Sequence, residues 1–187
     1  MTQERTRRIT LTAGFIALGV AVGYPLASVP VELISATMFI AGFVLGLWNG
    51  ALVGMMTMFF YSSLSPFGMA APPVLFAQMV GMALAGAAGA LVRRRDFSRV
   101  CWQNAVLLAV LGVAVTLIFD VLTTLASTLI VAVDFRAMLL MGAFFYLTHL
   151  ISNGLIFGGI LPLLFRELSR HPLAARYMHF GQKEQTG

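Results

Sequence analysis

The stretch Leu33–Val92, LISATMFIAGFVLGLWNGALVGMMTMFFYSSLSPFGMAAPPVLFAQMVGMALAGAAGALV, carries no charged side chain along its whole length. A helix crossing the hydrocarbon core of a bilayer needs about 20 apolar residues, so this run is too long for one or two crossings. Two breaks divide it. Trp48-Asn49-Gly50 reads as a tight turn, and Ser65-Pro66-Phe67-Gly68 through Pro72-Pro73 reads as a loop. The expected helices lie near 33–47, 50–64 and 73–92. Working outward, the uncharged segment 9–31 supplies a preceding span that ends near Tyr24-Pro25, and 105–129 and 137–165 supply two following ones. The fold class expected is an all-α membrane protein with six transmembrane helices.

Composition agrees. Hydrophobic residues make up 59% of the 187 and charged residues 10%, against about 25% charged in a soluble domain. The single cysteine, Cys101, excludes an internal disulfide framework and a cysteine-based metal cluster. The net charge of +5 is not a nucleic-acid signal, because the basic clusters are not interleaved with aromatic side chains.

The placement of charge tests the number of crossings, since Lys and Arg are retained on the cytoplasmic side. With six crossings, Arg5, Arg7 and Arg8, then Arg93, Arg94, Arg95 and Arg99, then Arg166, Arg170, Arg176 and Lys183 share one side. That is eleven of the twelve basic residues, with Arg136 opposite. Were residues 33–64 a single crossing, the Arg93 cluster would change sides and the bias would collapse. Both termini are therefore expected in the cytoplasm: residues 1–8 as an N-terminal segment, 9–166 as the membrane domain and 167–187 as a C-terminal tail. A cleavable signal peptide is the competing reading of Arg7-Arg8, the apolar run and Ala27-Ser28, but its removal leaves five spans.

Small residues mark helix faces suited to close approach in lipid, where packing drives association. Ala13, Ala17 and Ala21 form a four-residue stripe on the first helix; Gly46, Gly50 and Gly54, and Gly81, Ala85 and Gly89, repeat the spacing. Ordinary internal packing and docking of another membrane protein both account for such a stripe.

Polar side chains inside the spans are few and costly, hence functional candidates. Asp120 lies about 13 Å from the outer end of the fifth helix at about 1.5 Å per residue, with Thr116, Thr123, Thr124 and Ser127 at helical spacing. Tyr146, His149 and Asn153 share one face of the sixth, and Gln78 sits about one turn into the fourth. Interhelical hydrogen bonds account for His149 and Asn153 as well as ligand contact does. Glu32 complements the dipole at the start of the second helix, which accounts for it without a ligand. The proline-stiffened loop before the fourth helix presents Phe67 and Met69 either as a cap over an outward-facing pocket or as part of a plain connector.

Nothing resembles a Walker A sequence, a His-Glu-x-x-His or a Gly-x-Ser-x-Gly motif. One Asp and one His make too small a set for catalysis, and a proton-driven carrier usually needs more than one ionisable group along its path. An enzyme is not expected, and neither a catalytic nor a metal site is assigned.

The small size, the six-helix layout and the Ala13-Ala17-Ala21 stripe resemble the substrate-binding S component of energy-coupling factor (ECF) vitamin transporters. So do Val31-Glu32-Leu33 through Phe39-Ile40-Ala41-Gly42 to Leu47-Trp48-Asn49-Gly50-Ala51, and Ser65–Gly68 followed by Pro72-Pro73-Val74-Leu75 and Gln78. The resemblance spans roughly residues 9–166 and rests on moderately specific motifs. It implies a multi-pass protein of the bacterial plasma (inner) membrane that captures a vitamin-like small molecule from outside. It further implies that Ala13, Ala17 and Ala21 dock a membrane T component, and that two cytoplasmic ATPases use the ATP, with no cofactor in this chain. The pocket it selects comprises Gln78, Asp120, Thr124, Tyr146, His149 and Phe67, with Asn153 deeper. Two alternatives belong to other classes: a structural scaffold of the MreD type, in which Asp120 is a packing contact, and a small autonomous solute carrier.

Overall fold

The computed structural model describes residues 3–26, 31–97 and 99–170. Among them every regular element is helical. α1 (Gln3–Gly23) runs into a short 3₁₀ turn (Tyr24–Leu26) and is followed by α2 (Ile34–Leu45), α3 (Leu47–Ser63), α4 (Pro72–Leu91) and α5 (Trp102–Thr128). The last stretch is nearly continuous: α6 (Phe135–Met141), α7 (Ala143–Leu155), a π turn (Ile156–Ile160) and α8 (Leu161–Arg170). Three helical stretches are long and apolar enough to cross a membrane: Pro72–Leu91, Trp102–Thr128 and Ala143–Leu168.

The molecule is a membrane protein by its surface as well as by its length. Along α5, Asn104, Leu108, Gly112, Thr116, Asp120 and Thr124 recur at every fourth position and are all buried. Val106, Val110, Leu117, Val121 and Leu125 face outward. Aliphatic residues outside and polar ones inside invert the pattern of a soluble helix, as hydrocarbon surroundings require. In the last helical stretch the buried positions His149, Asn153, Phe157, Leu161 and Phe165 are again four apart. A four-residue spacing drifts against about 3.6 residues per turn, and the wider π turn at Ile156–Ile160 sets part of that drift back.

α2 is the central element, with nine buried residues from Ile34 to Phe43. It is enclosed because glycines let its neighbours come to backbone contact. A methyl group on Gly42 would run into the carbonyl oxygen of Gly86, one on Gly86 into that of Gly50, one on Gly54 into that of Met82, and one on Gly89 into that of Phe39. α2, α3 and α4 thus meet backbone to backbone, the approach that small residues permit in lipid.

The α2–α3 junction differs from expectation. The chain turns at Gly46, whose φ of +88° is a left-handed conformation that glycine adopts at little cost. Trp48, Asn49 and Gly50 form the first turn of α3, with Asn49 Nδ2 donating to the Leu45 carbonyl at 3.4 Å. Gly50 serves close packing against Gly42 and Gly86 rather than a turn. Arg93 secures the junction by donating from Nη2 to the Val44 carbonyl at 3.1 Å.

Two further boundaries move. α1 begins at Gln3, so residues 3–8, expected as a separate segment, continue the helix. It ends at Gly23, with Pro25 just beyond, and residues 27–30 of the expected first span lie outside the described residues. The expected tail is helical to Arg170, and the rest of it, 171–187, also lies outside the described residues. α4 starts at Pro72, close to expectation, with prolines in its first two positions, where a missing N–H costs nothing.

The arginine-rich end of the bundle is closed by aromatic rings. Phe43 stacks on Phe165 at 4.3 Å between centroids and meets Phe97 edge-on at 5.8 Å, which ties α2, the α4–α5 loop and α8 together. Gly86→Ala is expected to destabilise the detergent-solubilised protein by about 1–3 kcal/mol, because the added methyl meets backbone that cannot step aside. Gly14→Ala, at an interior position of α1 with open space around it, is expected to leave stability unchanged or raise it by up to about 1 kcal/mol. Denaturant unfolding of the two variants beside the parent checks both.

Candidate functional site

At the end of α2 opposite the aromatic cluster, three helices bring ionisable side chains together. α5 contributes Asp120, α7 contributes His149 and Asn153, and the residue two before α2 is Glu32. His149 Nδ1–H donates to Asp120 Oδ1 at 2.9 Å, and its Nε2 faces Glu32 Oε1 at 3.7 Å. One imidazole therefore stands between two carboxyl groups. Asp120 is 5% exposed, His149 4% and Asn153 0%.

Asn153 and Thr116 extend the network. Thr116 Oγ1 donates to the Gly112 carbonyl at 2.8 Å, so it accepts from Asn153 Nδ2 at 2.9 Å. The same Nδ2 reaches Glu32 Oε1 at 3.3 Å. These two acceptors fix the amide orientation and leave Asn153 Oδ1 as its free oxygen. Glu32 Oε2 accepts the Ser35 N–H at 2.9 Å and so caps α2, as the dipole argument anticipates. Glu32 is thus both a cap and a member of the cluster.

Further along α5, Thr124 Oγ1 donates to the Asp120 carbonyl at 2.6 Å and accepts from the Tyr146 hydroxyl at 2.7 Å. Phe145 and Phe119 flank the imidazole with ring centroids 5.7 and 6.4 Å away. Glu32, whose side chain is 18% exposed, and the half-buried Tyr146 carry the cluster towards the surface.

The bonding is incomplete. Asp120 Oδ2, Asn153 Oδ1, His149 Nε2 and Gln78 Oε1 are buried with no hydrogen-bond partner. Buried polar atoms are paired in the great majority of cases, and each orphan costs about 1–3 kcal/mol. Three of the four belong to adjacent residues of one network.

Of the expected site residues, Asp120, Thr124, Tyr146, His149 and Asn153 come together. Asn153 is no outlier, since it bridges Glu32 and Thr116. Gln78 lies on α4 one turn before Met82, whose sulfur accepts from Ser35 Oγ at 3.7 Å. Phe67 is 77% exposed on the α3–α4 loop, outside the hydrogen-bonded cluster. Glu32 and Thr116 complete the network but were not selected as site residues. Thr116 stood in the polar stripe of α5, and Glu32 was the lone acid bordering the long uncharged run.

No group of three or more side chains among the described residues is arranged to hold a metal ion. Ala13, Ala17 and Ala21 all face outward, while Gly19 and Gly23 of the same helix point inward against Met38, Thr57, Ile34 and Tyr61. Comparison of the chain with family models, curated proteins and solved structures gave no match.

His149→Leu removes the group that joins the two carboxyls and is expected to cost about 3–5 kcal/mol, the range for breaking a buried pair. Adding Asp120→Asn to that variant should restore about 1 kcal/mol or more, because the one carboxylate that remains, Glu32, still accepts from Ser35 and Asn153. A double-mutant cycle by denaturant unfolding measures this coupling; strictly additive effects would show that the contact carries no energy.

Proposed function

We propose that the chain is the membrane-embedded substrate-binding subunit of an ECF-type transporter. It captures a vitamin-like small molecule from outside and delivers it inward together with a T component and two ATPases. In this reading α1, α2, α3, α4, α5 and the α6–α8 stretch are six crossings of a bacterial plasma membrane, and both termini lie in the cytoplasm. The eleven basic residues then share the inner side, and the Asp120–His149 cluster opens outward.

The observation that carries this reading is the set of buried, unpartnered acceptors at Asp120 and Asn153 in one connected network. A scaffold has no use for unpaired interior oxygens, which only reduce its stability. A binding subunit has one, because the ligand supplies the missing donors. The outward-facing alanine stripe adds support: a row of methyl groups unused in the fold is a smooth track along which another helix packs closely.

A second reading, an autonomous carrier, draws on the row Glu32, His149 and Asp120. Three ionisable groups in contact inside a membrane protein are a recurring arrangement for proton movement. Uptake of solute into vesicles that contain this chain alone would favour the carrier over the subunit.

Native mass spectrometry of the purified chain is expected to show a small molecule retained through purification. Asp120→Asn should weaken its binding at least tenfold, about 1.4 kcal/mol; an unchanged affinity would take Asp120 out of the site. Ala17→Trp should abolish co-purification with a T component and leave ligand binding nearly intact. If it removed binding and fold together, the stripe would be internal packing.

A further inference from the structure

Resting on the substrate-binding reading, the chemistry of the cluster narrows the class of ligand. We infer that the site takes a small organic cation that presents N–H donors, such as a protonated amine or an amidine.

Three observations converge. First, the orphan atoms are acceptors. Asp120 Oδ2 and Asn153 Oδ1 have lone pairs and no donor, and Asn153 cannot turn its amide to relieve this because Nδ2 is held by Glu32 and Thr116. His149 Nε2 is the one unpartnered nitrogen in the cluster, and it already faces Glu32 Oε1.

Second, the charges do not balance. Two carboxyl groups face one imidazole, so with both carboxyls ionised the cluster holds at most one positive charge against two negative ones. Arg136, on α6, is exposed, and two arginines of the opposite end are held there by other groups. Arg93 is bonded to Val44 near the far end of α2, twelve residues along from Glu32, or about 18 Å at 1.5 Å per residue. Arg95 is bonded to Asn104 at the start of α5, about 24 Å along that helix from Asp120. An anionic ligand would face unpaired oxygens on every side, and burying like charges without compensation is prohibitive.

Third, the surroundings of the imidazole are aromatic. Phe119 and Phe145 have ring centroids 6.4 and 5.7 Å from it, and aromatic rings attract a cation that comes over a face within about 6 Å. A metal ion fits less well, since the two ring nitrogens of His149 point at different carboxyls and no three ligands converge.

The test is a thermal-shift titration of the full-length purified protein with benzamidine, benzamide and benzoate, which share one ring and differ in charge. Benzamidine should raise Tm with increasing concentration and bind at least about tenfold more tightly than benzamide. Benzoate should give no shift. Glu32→Gln keeps an acceptor but removes a charge, and should bring benzamidine to within about threefold of benzamide; Asp120→Asn, judged the same way, serves if Glu32→Gln does not fold. Equal or tighter binding of benzamide or benzoate would overturn the inference, as would a benzamidine preference that survives both substitutions. If none of the three probes shifts the protein, the charge of the co-purified molecule decides. A cation supports the inference, and a neutral or anionic molecule overturns it while leaving the binding reading in place. The absence of any bound molecule as well would overturn both.

Discussion

Asp120 constrains the rest of the molecule through the cost of a carboxyl group in hydrocarbon. A charged side chain at the centre of a membrane helix costs several kcal/mol if it faces lipid, and this sets the rotation of α5 about its own axis. Once Asp120 points inward, the four-residue repeat brings Thr116, Gly112 and Leu108 inward below it and Thr124 above it. α7 must then present a partner at the same level, and His149 does so with a 2.9 Å hydrogen bond. Glu32, brought in by α2, faces the second ring nitrogen. The register of three helices at this end of the bundle is thereby tied to polar contacts of specific length.

The other end is set differently. Along α2 the inward side chains change from Ser35 near the carboxyl cluster to Phe39 and Phe43 near the arginine-rich loop. The aromatic rings fill space and tolerate small displacements, while the polar cluster demands specific distances. Between the two lie the glycine contacts of α2, α3 and α4, which admit backbone only. The aromatic and glycine regions hold the frame, and most of the unpaired buried oxygens lie with the polar cluster at the other end.

How much of this was legible in the sequence depended on what each residue was being asked to do. Hydrophobic length and charge placement marked out the helical stretches, since both are set by the bilayer. The polar faces of α5 and α7 followed from helical spacing, and His149 does meet Asp120. Glycine was harder to read. Trp48-Asn49-Gly50 has the form of a turn, yet Gly46 makes the turn and Gly50 makes room for Gly86; spacing alone does not separate a glycine needed for its φ from one needed for its missing Cβ. In the sequence, Glu32 has a sufficient account as a complement to the dipole of α2. That holds for one of its oxygens, and the other oxygen's contact with Asn153 spans 121 positions of sequence. No local pattern announces such a contact. Phe67 was drawn in by its proline-rich loop, but the loop's own bonds, with Ser62 Oγ accepting from Ala70 N–H and Ser65 Oγ from Phe67 N–H, leave that ring exposed.

α1 shows how small residues acquire opposite meanings on one helix. Gly19 and Gly23 are consumed by the fold, because any side chain there would strike Met38, Thr57, Ile34 or Tyr61. Ala13, Ala17 and Ala21 lie on the other face and touch nothing that fixes their size. Toward lipid, larger aliphatic side chains would serve equally well, as they do along the outer face of α5. A stripe of methyl groups gains over them only when another helix backbone comes close, since its benefit is proximity and not hydrophobicity. The same physics seats α2 between α3 and α4 inside the protein, where the glycines that face each other admit backbone and nothing larger.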